Sequence, residues 1–412
     1  AIRAKLRQAR EAGVRVAALW VQDWEGRRVT SFGSQLWWNW QYDESRYPQL
    51  PRLIEELHGQ GIRFLGYLNP FLAVEKELYR EASARGYCVK DAEGRDLLVT
   101  ITTFPAALLD LSNPEAVAWI KRVIRENMIG VGLDGWMADY GEYLPPGARL
   151  ASGESWESAH NRYPALWAQV NHEAVREAGR ESDVTFFMRA GFLGSSGHAP
   201  LFWAGDQLVD WGRGDGLPTV IPAAVSLGMQ GVGQHHSDIG GFTSLAWVRR
   251  SKELFLRWSE QAAFSPLMRS HEGNRPATQW QFHSDGETLR LLATATEVFA
   301  RLKPYRLHAL EEYQRAGLPL MRHPYLHYEQ DETLHRLAYQ YLLGRDLLVA
   351  PVLRPGARSW RVYLPQDSWV HLWSGTPAVP GWQRVPAPLG SPPVFHRADS
   401  PFRRDFEALR AL

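Results

Sequence analysis

The residues that could do chemistry in this chain are carboxylates set just beyond apolar runs. Gly135-Trp136-Met137-Ala138-Asp139-Tyr140-Gly141-Glu142 ends in two acids, and Trp203-Ala204-Gly205-Asp206 ends in another. A pair of carboxylates facing one bond supports glycoside hydrolysis, in which one attacks the anomeric carbon and the other protonates the leaving oxygen. A double-displacement reaction needs them about 5–5.5 Å apart. Around these acids the same kind of position recurs. Gln22-Asp23-Trp24, Asn69-Pro70, Asp110, Arg189, His235-His236-Ser237-Asp238 and His271-Glu272 each follow an apolar run. A near-complete ring of polar groups implies a polar substrate held on all sides.

The elements that must position these residues follow from period. Candidate strands are 15–24, 63–70, 107–111, 132–139, 183–190, 201–206, 231–237 and 265–271. Helical patterns lie between them at 49–60, 75–85, 114–127, 163–178, 218–229 and 252–263, with a later pair at 287–301 and on to about 315. Ser112-Asn113-Pro114-Glu115 reads as a helix start, a polar cap followed by Pro and an acid. Eight strands, most followed by a helix, predict an α/β fold, a (β/α)8 TIM barrel whose reactive groups gather at the C-terminal strand ends. Asp139 then follows the fourth strand and Asp206 the sixth. No Gly-x-Gly-x-x-Gly turn follows the first strand, which argues against a dinucleotide fold. From about residue 325 the pattern changes to short strands with Pro/Gly turns, at 346–353, 361–364 and 369–373. The expected division is a catalytic barrel over 1–324 and a small all-β domain over 325–412.

Composition narrows the partners. Charges nearly cancel, at +1, which gives no long-range field for nucleic acid or an anionic membrane. No apolar stretch reaches membrane-spanning length. Cys88 is the lone cysteine, which excludes an internal disulfide and points to a reducing, cytoplasmic setting. Ala1 opens directly on a helix-like segment with no leader pattern, and an N-terminal region is expected to be missing. The 18 Trp fall in runs such as Leu36-Trp37-Trp38-Asn39-Trp40 rather than at helical spacing, and indole faces stack well on sugar rings. The expected partner is a small carbohydrate, with no cofactor and no metal.

Two other readings compete. His235-His236-x-Asp238 with His271 could ligate a metal, but adjacent strand residues point to opposite sides, so one His at most faces the mouth. A non-catalytic carbohydrate-binding barrel would keep the aromatics but would not need both Asp139 and Asp206. Arg249-Arg250 and Arg403-Arg404 read as solvated surface charges.

At these residues the chain resembles glycoside hydrolase family 31, the α-glucosidase and α-xylosidase family, over essentially its whole length. The Asp139-Tyr140-Gly141-Glu142 segment is similar to the family's nucleophile motif, although Met137 stands where a Trp is usual. Trp203 to Asp206 matches its Trp-x-Gly-Asp. Met188-Arg189-Ala190-Gly191, Ser237-Asp238-Ile239-Gly240-Gly241, Phe264-Ser265-Pro266-Leu267-Met268-Arg269 and Leu347-Leu348-Val349-Ala350-Pro351-Val352 match further segments in order. Val21-Gln22-Asp23-Trp24-Glu25-Gly26, Trp38-Asn39-Trp40 and His271-Glu272-Gly273-Asn274-Arg275-Pro276 look most like its sulfoquinovosidase branch.

The resemblance implies that Asp139 is the nucleophile and Asp206 the acid/base, protonated at first. It implies that Gln22, Arg189 and His271 touch sugar hydroxyls and that Trp38 belongs to the pocket for the 6-substituent. Asp110, Glu142 and Asp238 join the polar ring, with Trp136 and Trp203 as walls. It also implies an N-terminal β domain that this chain lacks. In the sulfoquinovosidase branch an Arg stands three residues before the Trp matching Trp38, and a Tyr follows the Gly-Gly; here those positions are Gln35 and Phe242. Losing both weakens sulfonate recognition, since a desolvated anion needs charged or multiple donors. The expected substrate is therefore a neutral α-glucoside, with α-sulfoquinovosides as the alternative.

Overall fold

The computed structural model describes every residue except Ala1, Phe32, Thr102 and Ala246. The helix expected from Ala1 is described from Ile2 and runs Ile2–Glu11. The chain divides into two compact units, residues 17–202 and residues 1–16 with 203–412. Among the described residues no helix is long and apolar enough to cross a membrane.

The 17–202 unit is built on a parallel sheet. Ala18–Trp20 pairs with Arg63–Leu68, which pairs with Gly135–Ala138 and that in turn with Thr185–Met188. Leu201 and Phe202 continue the order beside Phe187 and Met188. Parallel neighbours need long crossovers, and helices Leu50–His58, Pro114–Val123 and Tyr163–Glu177 supply them. Asn113 caps the second of these by accepting from the amides of Glu115 and Ala116, with Pro114 at the first helical position.

The third expected strand is corrected here. The run containing Ala107 forms Phe104–Leu108, which pairs antiparallel with Phe71–Ala73 and Leu98–Ile101. A short, fully buried apolar run carries no mark of its direction, so period alone cannot distinguish a parallel strand from this antiparallel excursion. Arg63–Leu68 therefore meets Gly135–Ala138 directly. Asp139 follows the third parallel strand of this unit and not the fourth, and the strand before Asp206 is the fifth.

At the opposite end of the sheet, Asp134 ties the strands together. It is 3% exposed, and its carboxylate accepts from the Phe64 amide at 2.8 Å, from Arg63 Nη1 at 2.8 Å and meets His58 Nε2 at 2.6 Å. Asp134→Ala would leave the buried Phe64 amide, the Arg63 guanidinium and the His58 ring nitrogen without this partner. Because Arg63 is half exposed, the expected cost is about 2 kcal/mol, below the usual range for a fully buried pair, read as a fall in denaturant midpoint.

In the other unit, His235–His236 is a two-residue strand, and Asp238–Ile239 runs parallel to Arg269–Ser270. Helices Val220–Met229, Lys252–Ala262, Gly286–Arg301 and Lys303–Ala316 surround them. The C-terminal part is an antiparallel sheet. Its order is Met321–Arg322, Tyr341–Leu343, Leu347–Val349, Val394–Arg397, Trp369–His371 and Pro377–Ala378. Ser359–Leu364 pairs separately with Gly381–Pro386. One apolar core runs through this unit from Ala9 and Trp258 to Tyr341, Val394 and Phe406, so the sheet shares its interior with the helices.

Candidate active site

In the 17–202 unit the polar groups sit where parallel strands end. Along Gly135–Ala138 side chains alternate. The Trp136 indole turns to the helix layer, donating from Nε1 to Asn171 Oδ1 at 2.7 Å and stacking on Phe186. It holds the sheet against helix Tyr163–Glu177 rather than lining the strand ends. Asp139 comes next on the opposite alternation and is 5% exposed. Tyr140 then leaves the strand at φ 58°, a left-handed conformation unusual for a bulky residue, and the turn continues through Gly141 at φ 117°. That turn aims the Tyr140 amide at Asp139 Oδ1, 2.8 Å away. Such strain is characteristic of functional positions.

Three donors from three parts of the unit converge on Asp139. Besides the Tyr140 amide, Arg189 Nη1 lies 3.1 Å from Oδ1 and the Tyr67 hydroxyl donates to Oδ2 at 2.6 Å. Tyr67 is itself fixed, receiving Asn69 Nδ2 at 3.1 Å, while Asn69 Oδ1 accepts the Phe71 amide. Burial, and then the Asp139 charge, push the Tyr67 phenol well above its ordinary range, so it stays a donor. Arg189 spans two acids, with Nη2 2.5 Å from Glu142 Oε1, and its guanidinium lies over the Tyr140 ring at 4.2 Å. Asp139, Glu142 and Arg189 thus form one network, as their place at neighbouring strand ends suggested. Tyr67 was missed by sequence reading. Its position two residues before Asn69, on one face of the strand, was the available signal.

Trp38 stands beside this network. It too has a positive φ, 48°, and its ring meets Phe71 at 5.6 Å, Phe104 at 4.9 Å and Tyr140 at 5.4 Å. It follows a hairpin, Arg27–Thr30 with Gly33–Leu36, in which Arg28 pairs with Gln35. Gln35 Oε1 accepts from Thr30 and Thr103 at 2.6 and 2.7 Å. Gln22 opens the turn after Ala18–Trp20 and is half-buried. Asp110 is committed locally. One oxygen takes the Ser112 amide and hydroxyl, and the other takes the Ala151 amide at 2.7 Å. Those bonds give it a loop-fixing role.

In the unit containing residues 203–412, Trp203 is buried and Asp206 exposed, with a left-handed Gly205 between them. The Asp206 carbonyl accepts from Thr243 Oγ1 at 2.7 Å. Asp238 is fully buried and ion-paired with Arg269, whose Nε donates to His236 Nε2 at 3.0 Å. His236 is thereby engaged by a cation, which disfavours metal ligation at that nitrogen. Phe242 packs edge-on to His271 at 4.7 Å.

His271 Nδ1 accepts the Gly273 amide at 2.9 Å. Burial, and then the charges of Arg269 and Arg250, hold its pKa well below the ordinary value. The ring is therefore neutral with its proton on Nε2, the tautomer able to donate to a sugar hydroxyl.

Arg250 corrects the expectation of a solvated charge. It is 2% exposed and donates to the carbonyls of Gly241, His271, Glu272 and Trp280 and to Gln281 Oε1. A guanidinium whose fork is filled by carbonyls fixes the loops bearing Phe242 and His271, although an Arg-Arg pair in a sequence looks like surface.

These imidazoles predict an acid limit to stability. His235 is 3% exposed and burial lowers its pKa from 6.5 to about 4. The folded state thus binds fewer protons than the unfolded one. Its contribution is complete above pH 6.5 and is lost as pH falls toward 4, worth at most about 3 kcal/mol at the acid end. His271 acts in the same sense. Melting temperature is expected to fall through this window, and His235→Asn to flatten the fall. An unchanged slope in that variant would contradict the assignment.

Comparison with known proteins agrees with this picture. Residues 1–309 match the Glycosyl hydrolases family 31 TIM-barrel domain, and residues 317–400 the Glycosyl hydrolase family 31 C-terminal domain. The TIM-barrel and C-terminal all-β architecture expected from the sequence is thereby established. Sulfoquinovosidase of Escherichia coli (strain K12) is 51% identical over 99% of this chain and 60% of its own length. Sulfoquinovosidase of Agrobacterium fabrum is 46% identical over 99% of this chain and 62% of its length. Among solved structures, a GH31 sulfoquinovosidase from E. rectale, in complex with the aza-sugar inhibitor IFGSQ, superposes with a TM-score of 0.98. It is 48% identical, and the match covers 99% of this chain and 61% of that one. This chain therefore spans about three fifths of the length of these relatives.

Proposed function

This chain belongs to glycoside hydrolase family 31, and from that membership we propose that it carries the reaction centre of a retaining α-glycosidase, with Asp139 as nucleophile and Asp206 as general acid/base. The observation that carries the reading is the convergence of Tyr67, Arg189 and the Tyr140 amide on one buried carboxylate. Such convergence fixes the orientation of Asp139 before substrate arrives, and preorganisation of this kind is where catalytic power resides.

In this reaction an Asp139 oxygen bonds to the anomeric carbon as the glycosidic bond breaks, and Asp206 gives its proton to the departing oxygen. The covalent glycosyl-enzyme is then opened by water. Asp206, now a carboxylate, takes the water proton as the Asp139 ester bond breaks. Two inversions leave the released sugar in the α form. Arg189 and Glu142 are positioning and hydroxyl-binding groups, and neutral His271 is a donor to the sugar. A reducing compartment for the protein rests on Cys88 alone.

Gln35 and Phe242, taken by themselves, favour a neutral hydroxymethyl group at C6. The identities to sulfoquinovosidases, 51% and 46%, favour α-sulfoquinovosides, and a buried cation in the hairpin that leads to Trp38 supports them. We take α-sulfoquinovosides as the first substrates to test. The experiment follows hydrolysis of 4-nitrophenyl α-sulfoquinovoside by proton NMR. The α anomer is expected first, with the β anomer appearing only by mutarotation. Initial release of the β anomer would overturn the double displacement.

A further inference from the structure

The carboxylate of Asp139 is held unevenly. Oδ1 accepts the Tyr140 amide at 2.8 Å and lies 3.1 Å from Arg189 Nη1. Oδ2 accepts from the Tyr67 hydroxyl alone among the described residues, at 2.6 Å. Each carboxylate oxygen offers two in-plane lone pairs. Both of those on Oδ1 are taken, and by donors with little freedom. The amide is fixed by the left-handed turn at Tyr140, while Arg189 is tied to Glu142 and rests on the Tyr140 ring. Oδ2 keeps one lone pair for a further bond.

The direction of the Tyr67 proton is also set. Asn69 Oδ1 accepts the Phe71 amide at 2.8 Å, which turns Asn69 Nδ2 toward the phenol oxygen, 3.1 Å away. That oxygen receives a hydrogen bond from Asn69 and gives its own to Oδ2. Tyr67 is 3% exposed, so water does not compete for the bond. Burial, and then the Asp139 charge, push the phenol well above its ordinary range, and the proton stays on Tyr67.

We propose that Oδ2 is the oxygen that attacks the anomeric carbon, and that Tyr67 is a catalytic residue for the second step, the opening of the glycosyl-enzyme. The inference rests on the retaining reading with Asp139 as nucleophile. In the first step the free lone pair of Oδ2 forms the bond to the anomeric carbon. The bond to the departing group breaks and its electron pair leaves with that group. Oδ1 becomes the ester carbonyl and keeps both donors. Oδ2 becomes an ester oxygen with little charge, and its bond from Tyr67 weakens. In the second step water attacks the anomeric carbon and yields a proton to the acid/base carboxylate. The bond from Oδ2 to carbon breaks and its pair returns to Oδ2, where negative charge grows in front of the Tyr67 hydroxyl. A donor already aimed at developing charge lowers that barrier without reorganisation. The same bond stabilises the carboxylate from which the first step starts, so it gives that step no such help.

The test follows fluoride release from α-sulfoquinovosyl fluoride and α-glucosyl fluoride by the parent protein and Tyr67→Phe. Fluoride departs readily, so opening of the glycosyl-enzyme limits turnover. Loss of one charged hydrogen bond is expected to lower kcat about 10-fold or more. Because only the second step is slowed, KM falls in the same proportion and kcat/KM stays within about threefold of the parent. Intact mass during turnover should show the glycosyl-enzyme as the main species. A role in packing alone would lower kcat/KM as far as kcat, with KM unmoved. That result overturns the proposal, as does a kcat within about twofold of the parent. Should Tyr67→Phe lose its cooperative melt, 3-fluorotyrosine in place of Tyr67 decides, since it is a stronger donor of nearly the same shape. It is expected to raise kcat and KM together, and a fall in kcat or an unmoved KM overturns the proposal. A parent protein that releases fluoride from neither substrate removes the glycosidase reading itself, and this proposal with it.

Discussion

Asp139→Ala is expected to lower kcat by about 10⁴-fold or more, because in the proposed mechanism the covalent intermediate forms on its carboxylate. The protein should still fold. The carboxylate is held by groups with partners of their own, Tyr67 with Asn69 and Arg189 with Glu142, so its loss does not empty either of all contacts. Truncation opens space beside the anomeric carbon, and a small external nucleophile such as azide should enter it. The expected product is the β-glycosyl azide, formed by a single inversion. Near-normal turnover in Asp139→Ala would remove this residue from the chemistry, and an α-azide would place the nucleophile elsewhere.

The second large effect concerns Asp206 and depends on the leaving group. Asp206→Ala removes proton donation worth about 10²–10⁴-fold. A simple alkyl glycoside, whose departing oxygen needs that proton, should lose nearly all of its turnover. A 4-nitrophenyl glycoside leaves readily without protonation, so its first step should be damaged far less and the glycosyl-enzyme should accumulate. Azide would then speed turnover and give the α-azide by two inversions. Equal losses on the alkyl and 4-nitrophenyl glycosides would contradict the acid/base role. The two variants thus predict azides of opposite configuration, a result that general loss of structure cannot imitate.

The helices were the most legible part of the sequence. Tyr163–Glu177 and Lys252–Ala262 lie within one residue of their expected ends, because amphipathic period and caps are local signals. Strands were less so. The expected 231–237 strand is only His235–His236, and the buried run at Ala107 went to an antiparallel excursion, since pairing is decided by partners distant in sequence.

In the site, the acids were visible because carboxylates after apolar runs are unusual. Their supports were not. Tyr67 reaches Asp139 from 72 residues away, and Arg250 gathers carbonyls from loops up to 30 residues distant. A Tyr in a strand or an Arg beside another Arg has no sequence signature that separates such roles from packing or a wet surface. Trp136 illustrates the reverse error. Its neighbour Asp139 suggested a wall of the pocket, yet strand alternation sends its indole to Asn171. Arg28 shows the same limit most sharply, since only the hairpin register reveals that it stands opposite Gln35.

The central claim is that Asp139 becomes covalently glycosylated. The direct measurement is to treat the protein with a fluorinated α-glycosyl fluoride, which forms the intermediate readily and hydrolyses slowly, and to locate the added mass by peptide mapping. One sugar per chain on the peptide containing Asp139, and none in Asp139→Ala, is the predicted result. Labelling of another carboxylate, or rapid defluorination with no adduct and a β product, would contradict it.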